Sequence, residues 1–273
     1  PVEAFRLAGP PVTTCKAWAI ADGRTGDLLF GYNDAAVRDP ASITKIMTAY
    51  VVCRAVESDP SVLEEIVTFS RRADETTGSS ATVRAGERVS VGELLYGLML
   101  PSGNDASVAF AEHFGAKLPE SMGEAPYDRF IQAMNDTAAE LGMSETGYKN
   151  PHGLTAKGHV TTAGDMIKLA HAAMQMPHFR AVVKTRQRGA TLRSVDGYAR
   201  DVVWNNSNRL LGFEGFYGVK TGTTGPAGEC LVSAGERGGR PLLMVVLGAN
   251  RGGGRYVDSR NLYRWVWREL GVE

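Results

Sequence analysis

The sequence predicts an α+β fold: an antiparallel β-sheet built from both chain ends, flanked by helices, with a helical block over about residues 41–180. Three observations carry this reading. Strand signals form a hairpin near the N-terminus, helical periodicities fill the middle, and short alternating segments followed by one helix close the chain. That order is not the regular β-α-β alternation of a parallel sheet. The 273 residues suffice for a sizeable core, and residues 1–273 are expected to form a single domain.

The first ten residues, with Pro1 and Pro10, read as a loose lead-in. Ala17–Ile20 and Leu28–Phe30 flank a turn rich in Asp22, Gly23, Gly26 and Asp27, which predicts a hairpin. Pro40 precedes a helical pattern in which Ile43, Ile46, Met47, Tyr50, Val51 and Ala55 recur at helical spacing. A helix apolar over so much of its circumference is expected to be buried. Residues 65–86 are polar and Thr/Ser-rich, a strand followed by loops. Ser90 and Glu93 form a capping box ahead of Leu94, Leu95, Leu98 and Met99, and Pro101 ends that helix. Further helices are expected over 105–114, over 127–141 closed by Gly142, and from Thr162 to Met176 with Pro177 as the stop. Segments 187–192, 200–204, 229–234 and 242–247 read as antiparallel strands, with a Gly238-Gly239 turn between the last two. Residues 256–270 close the chain as a helix.

Composition narrows the function. Lys+Arg and Asp+Glu balance at 30 each, so no net field points to nucleic acid or an anionic membrane. Lys184, Arg186, Arg188 and Arg193 cluster without interleaved aromatics and read as a solvated face. The longest apolar runs, such as Leu242–Leu247, are too short to span a bilayer. Cys15, Cys53 and Cys230 stand far apart; one bridge or three buried thiols both fit.

Three short motifs concentrate the chemistry: Ser42-Ile43-Thr44-Lys45, Ser102-Gly103-Asn104 and Lys220-Thr221-Gly222. Ser and Lys three apart recur by chance in most chains; position gives this pair its weight. Ser42 opens the apolar helix just after Pro40, and residues i and i+3 share a helix face, so Lys45 reaches the serine hydroxyl. Apolar neighbours draw both inward, where a lysine is costly without a partner or a task. Burial and a second cation depress its pKa, and a neutral amine can take the serine proton. A helix N-terminus also favours negative charge developing beside it.

Ser102-Gly103-Asn104 follows Pro101 in the break between two helices. Alone it reads as a turn with an N-cap. As chemistry, Ser102 relays a proton to a leaving amine, while Asn104 donates to a substrate carbonyl and holds Lys45. A phosphate-binding loop would need glycine directly before Lys220; Val219 stands there and excludes it. Alone the segment reads as a Gly-rich strand edge; as chemistry, an open edge can pair with an extended peptide substrate. Lys220 then supplies charge, Thr221 a hydroxyl for a carboxylate, and Gly222 close approach.

This trio, in this order, is the one shared by β-lactamases and penicillin-binding proteins. The chain resembles the low-molecular-mass penicillin-binding proteins of the serine D-Ala-D-Ala carboxypeptidase family. Residues Arg38 to Thr48 resemble that family's active-site segment nearly residue for residue, Ser102-Gly103-Asn104-Asp105-Ala106 its second motif, and His152-Gly153-Leu154 a family loop. The resemblance runs from about Cys15 to Leu270. It implies a β-lactamase/DD-peptidase-like fold with the site where the sheet meets the helical block. The implied activity is removal of the terminal D-alanine of peptidoglycan pentapeptides through an acyl-enzyme on Ser42, with covalent inhibition by penicillins. Ser42 would be the nucleophile and Lys45 its base, with Ser102 and Asn104 on one wall and Lys220, Thr221 and Gly222 on another. The backbone N–H groups of Ser42 and Thr223 would form the oxyanion hole. Arg255, after Gly252-Gly253-Gly254, resembles a family arginine near the substrate carboxylate. The partners implied are the peptidoglycan stem peptide and β-lactam antibiotics. The location implied is extracytoplasmic, with a signal peptide removed, for a monomer that needs no cofactor.

Many members carry a β-rich domain and an amphipathic anchor after the catalytic domain. Neither occurs up to Glu273, so peripheral membrane association is expected only through a region beyond this sequence. His113, His152, His159, His171 and His178 lack metal-site spacing, and no metal is expected. Two rival readings stand. A serine β-lactamase shares the trio, and in its common type a glutamate activates the deacylating water. The corresponding loop here holds Glu145 and Asn150 rather than Glu with Asn four residues on, and the middle motif is Ser-Gly-Asn rather than Ser-Asp-Asn. A penicillin-sensing domain that binds without turnover would carry the same acylation residues.

Overall fold

Both chain ends converge on one sheet. The computed structural model describes residues 9–272, so the lead-in reading for residues 1–8 lies outside the described residues. The hairpin β1 (Ala17–Asp22) and β2 (Leu28–Tyr32) comes first. After it come α1 (Lys45–Ser58), β3 (Ile66–Thr68), the short α2 (Arg71–Asp74) and β4 (Glu87–Ser90). The helices α3 (Val91–Met99), α4 (Asn104–Gly115), α5 (Pro126–Glu140), α6 (Ala163–Gln175) and α7 (Pro177–Lys184) complete the block. The chain then runs through β5 (Gln187–Ser194), β6 (Ala199–Asn205), β7 (Phe216–Thr224), β8 (Gly228–Arg237) and β9 (Arg240–Ala249), and ends on α8 (Gly254–Glu269).

The main sheet has the order β2-β1-β9-β8-β7, all neighbours antiparallel. It is covered on both faces, which explains the unbroken apolar run of β9. Leu243, Val245 and Leu247 point into the helical block with Ala17, Ala19 and Ala21 of β1. Leu242, Met244 and Val246 point the other way, with Trp18 and Ile20, onto α8. Side-chain alternation along a strand thus serves two cores at once. Trp18 and Trp265 meet edge to face at 6.2 Å. Each fully buried aliphatic side chain of this kind contributes about 1.5–3 kcal/mol.

Several expectations need correction. The strands at 187–194 and 199–205 join β3 and β4 in a second four-stranded sheet, β3-β4-β5-β6, which leans on the helical block rather than on the main sheet. Pro177 stops α6 and also opens α7, because proline suits the first turn of a helix, where its missing N–H has no partner to lose. Only half of the capping box forms: Ser90 Oγ accepts from Glu93 N at 3.3 Å, while the Glu93 carboxylate pairs with Arg188. Arg188 also stacks on Tyr96, so it is not wholly a solvated residue. All three cysteines are buried free thiols. Among the described residues no helix is long and apolar enough to cross a membrane.

The two ends are fastened by a carboxylate. Asp258 of α8 is buried, and its oxygens accept from Thr14 N, Thr14 Oγ1 (2.8 Å) and Cys15 N (2.9 Å), just ahead of β1. Removing it would leave buried donors unpaired. Asp258→Ala is expected to lower stability by about 3 kcal/mol, measured as a shifted urea midpoint at unchanged slope. A loss under about 0.5 kcal/mol would mean that the ends are held by packing alone.

Candidate active site

Ser42 does not open α1. It lies in a 3-10 turn, Ala41–Thr44, and α1 begins at Lys45. In 3-10 geometry the side chains at i and i+3 eclipse, which brings Lys45 Nζ to 3.0 Å from Ser42 Oγ. Ala41 sits at φ +50°, a left-handed conformation that costs a non-glycine residue about 1–2 kcal/mol. Its neighbour there is Gly153, at φ +95°; a β-carbon on that residue would lie 1.9 Å from Ala41 O. Glycine at 153 therefore lets the loop lie directly against the turn that carries the serine.

Lys45 is fully buried, and its amine faces three oxygens: Ser42 Oγ, Asn104 Oδ1 at 2.7 Å and His152 O at 2.8 Å. Burial, then the positive charge of Lys220, drives its pKa well below the usual 10.5; Asp105 pulls the other way. A neutral amine has two N–H donors and one lone pair. The two carbonyl oxygens take the donors, and the lone pair is left for the Ser42 hydroxyl. This arrangement can accept the serine proton directly.

The supports of Lys45 are themselves supported. Asn104 Nδ2 donates to Thr77 O and Asn104 N to Ser79 O, both at 2.7 Å, so the amide is fixed with its oxygen toward Lys45. The buried Asp105 carboxylate accepts from Ser80 Oγ (2.6 Å) and Ala81 N (2.8 Å), tying down the same loop. Thr44 Oγ1 lies 2.9 Å from His159 Nε2. Since His159 Nδ1 accepts from Lys149 N, Nε2 carries the proton and donates to the threonine. Burial pushes His159 down to about 4, so it is neutral and structural. His152, pushed down to about 3, contributes its backbone carbonyl rather than its ring to the site.

A cleft of about 420 Å³ opens beside Ser42 where β7 meets the helical block. Ser102 lines it at φ +69°, and its buried Oγ has no partner among the described residues. A left-handed non-glycine backbone with an unpaired buried hydroxyl is a combination found at functional positions. Of the strands, β7 pairs with β8 alone, and Thr221, Gly222 and Thr223 line the cleft along its other edge. A β-carbon on Gly222 would fall 2.8 Å from Ser42 N, so only glycine lets this edge reach the serine turn. Thr221 Oγ1 lies 2.8 Å from Ser207 Oγ.

Lys45, Asn104 and Lys220 stand behind the cleft wall rather than on it. Lys220 is 1% exposed, its Nζ donates to Thr221 O at 3.0 Å, and burial followed by the Arg255 charge brings it down to about 7. Arg255 does line the cleft, yet most of it is engaged: Nη1 donates to Gly222 O at 2.8 Å and Cys230 O at 3.3 Å. Its Nε lies 3.3 Å from Glu229 without a well-aligned hydrogen bond. Glu229 in turn accepts from Gly252 N and Gly253 N ahead of α8. Sequence reasoning brought together Ser42, Lys45, Ser102, Asn104, Lys220, Thr221, Gly222, Thr223 and Arg255, and the fold gathers all nine at this junction. It missed Ser79, Ser207, Arg209, Glu229 and Tyr256 on the wall. Only Glu229 left a signal, as an acid at the head of an apolar strand.

Lys45→Arg is expected to cut acylation of Ser42 by about 10²–10⁴-fold, because a guanidinium keeps its proton. In the unsubstituted protein the acylation rate should fall as pH drops through the Lys45 pKa, since protonation fills the lone pair. Both are read by the rate at which an acylating probe labels Ser42 covalently, alongside a circular dichroism spectrum to verify the fold. Near-normal labelling by the arginine variant would move the base elsewhere.

Comparison with known proteins identifies the family. The family profile described as D-alanyl-D-alanine carboxypeptidase matches residues 5–251. The chain is 34% identical to D-alanyl-D-alanine carboxypeptidase DacD of Escherichia coli over 266 residues, covering 94% of this chain and 64% of that protein. It is 33% identical over 267 residues to the D-alanyl-D-alanine carboxypeptidase of Streptomyces sp. strain K15, covering 96% of this chain and 90% of the other. The crystal structure of the Streptomyces K15 DD-transpeptidase superposes with a TM-score of 0.86 at 32% identity, over 94% of this chain and 98% of that one. The chain thus spans under two thirds of DacD and nearly all of the K15 enzyme. On the match over residues 5–251 and these identities, the chain belongs to the D-alanyl-D-alanine carboxypeptidase family.

Proposed function

We propose that this chain is the catalytic domain of a serine D-Ala-D-Ala carboxypeptidase, residues 1–273, which removes the terminal D-alanine from peptidoglycan stem pentapeptides outside the cytoplasm. The observation that carries the reading is the fully buried amine of Lys45, 3.0 Å from Ser42 Oγ with its N–H donors engaged elsewhere. Lys45 takes the Ser42 proton as Oγ attacks the carbonyl carbon of the scissile bond. The N–H groups of Ser42 and Thr223 hold the oxyanion, in the gap that Gly222 keeps open. Ser102 passes the proton from Lys45 to the departing amine, D-alanine leaves, and the acyl group remains on Ser42. Water then enters from the leaving-group side and attacks the acyl carbon as Lys45 takes its proton; Lys45 returns that proton to Ser42 Oγ as the ester bond breaks and the shortened peptide leaves. The extended substrate lies along the free edge of β7, and its terminal carboxylate meets Thr221, with the Lys220 charge behind it.

Penicillins should acylate the same serine, because their ring amide stands in for the scissile peptide bond. Their leaving amine stays tethered to the acyl group and blocks the path of water. Glu229 is the carboxylate among the described residues on the cleft wall, and it is engaged with Arg255 and the backbone ahead of α8. Asn150 is likewise committed, to Leu154 O and Gly153 N. Neither is placed to activate a deacylating water.

Two measurements test the reading together. D-alanine release from a pentapeptide is expected, and intact mass after benzylpenicillin should show one added drug mass that Ser42→Ala lacks. Rapid repeated turnover of penicillin with no lasting adduct would favour a β-lactamase. A stable adduct without D-alanine release would favour a sensing domain.

A further inference from the structure

We infer that Tyr256 is a positioning residue for substrate carboxylate recognition. It sits in the first turn of α8, half-buried on the cleft wall. Its hydroxyl donates to Ser207 O at 2.9 Å and accepts from Arg209 N at 3.4 Å. Two guanidinium groups, Arg209 and Arg255, each lie over its ring at 5.5 Å from the ring centre. The segment it clamps carries the Ser207 hydroxyl, 2.8 Å from Thr221 Oγ1.

One side chain therefore fixes three things at the same end of the cleft. The hydroxyl pins the backbone of Ser207, and with it the orientation of the Thr221 hydroxyl. The ring face gives two like charges a common partner, which keeps them close against their mutual repulsion. The anchoring of 207–209 to α8 sets how far Arg209 stands from β7. Arg255 is already engaged with Gly222 O and Glu229, so the geometry of Arg209 and Thr221 decides how well an anion fits. Tyr256 touches none of the reacting atoms and acts through these neighbours.

This inference rests on the carboxypeptidase reading, and its test is arranged so that the two can fail separately. Affinity is measured by competition of a D-Ala-D-Ala peptide, as free acid and as C-terminal amide, against fluorescent-penicillin labelling of Ser42. In Tyr256→Phe the acid should bind about 3- to 10-fold more weakly, the effect of one or two lost hydrogen bonds, while the amide is unchanged within twofold. Tyr256→Leu, which also removes the ring, should lose more. In turnover the change should appear in KM with kcat nearly preserved. Equal weakening of acid and amide, or no weakening in Tyr256→Phe, would overturn the assignment. The competition needs acylation but not peptide hydrolysis. A parent protein that releases no D-alanine would defeat the functional reading, while the Tyr256 comparison would still return its answer.

Discussion

A lysine amine sealed from water against a serine is the constraint on which the rest of this structure depends. A buried ammonium without a counterion is costly, so burial drives the Lys45 pKa well below the usual 10.5, and its donors are directed to carbonyl oxygens. Those oxygens come from distant parts of the chain: Asn104 at the start of α4 and His152 in the loop before α6. The helical block has to bring these segments to one point. Asp105 fixes the 77–83 loop from below, Gly153 admits the His152 loop, and His159 holds Thr44 beside the serine turn. Each support is buried and hydrogen-bonded, as a site of fixed geometry requires.

The sheet contributes a second charge and an edge. Lys220 of β7 lies behind the cleft wall and, after burial, lowers the Lys45 pKa. Arg255 does the same to Lys220, so the cations are ranked by depth. Glu229 limits this accumulation by pairing with Arg255 outside the strand. The order has a chemical consequence. On the proposed reading the deepest amine serves as the base and the next stands behind the hydroxyl that meets the substrate carboxylate, while the outermost guanidinium ties β7 and β8 to α8.

Much of this was legible in the sequence because it depends on local spacing or on short motifs. The hairpin, the buried helix after Pro40, the break at Pro101 and the closing helix follow from periodicity and turn chemistry, and the structure has them within a few residues. The motifs named nine residues that the fold brings to one junction, because each sits at a turn, a helix start or a strand edge. What stayed hidden depends on tertiary contacts. The second sheet was not separable from the first, since the alternation of 187–194 and 199–205 says which face is buried but not against what. Ser207, Arg209 and Tyr256 look like ordinary surface residues until the first turn of α8 meets the 207–209 segment. His152 matters through its carbonyl, which no side-chain motif can announce.

The account stands on the protonation state of Lys45, and that can be observed directly. Selective labelling of lysine Cε and Nζ, with the Lys45 resonance assigned by its loss in Lys45→Arg, would report the titration of this one amine by NMR. A neutral amine at pH 7, titrating well below the ordinary 10.5, is the expected result. An ammonium that persists up to the ordinary lysine range would contradict it, and Ser42 would then need another base.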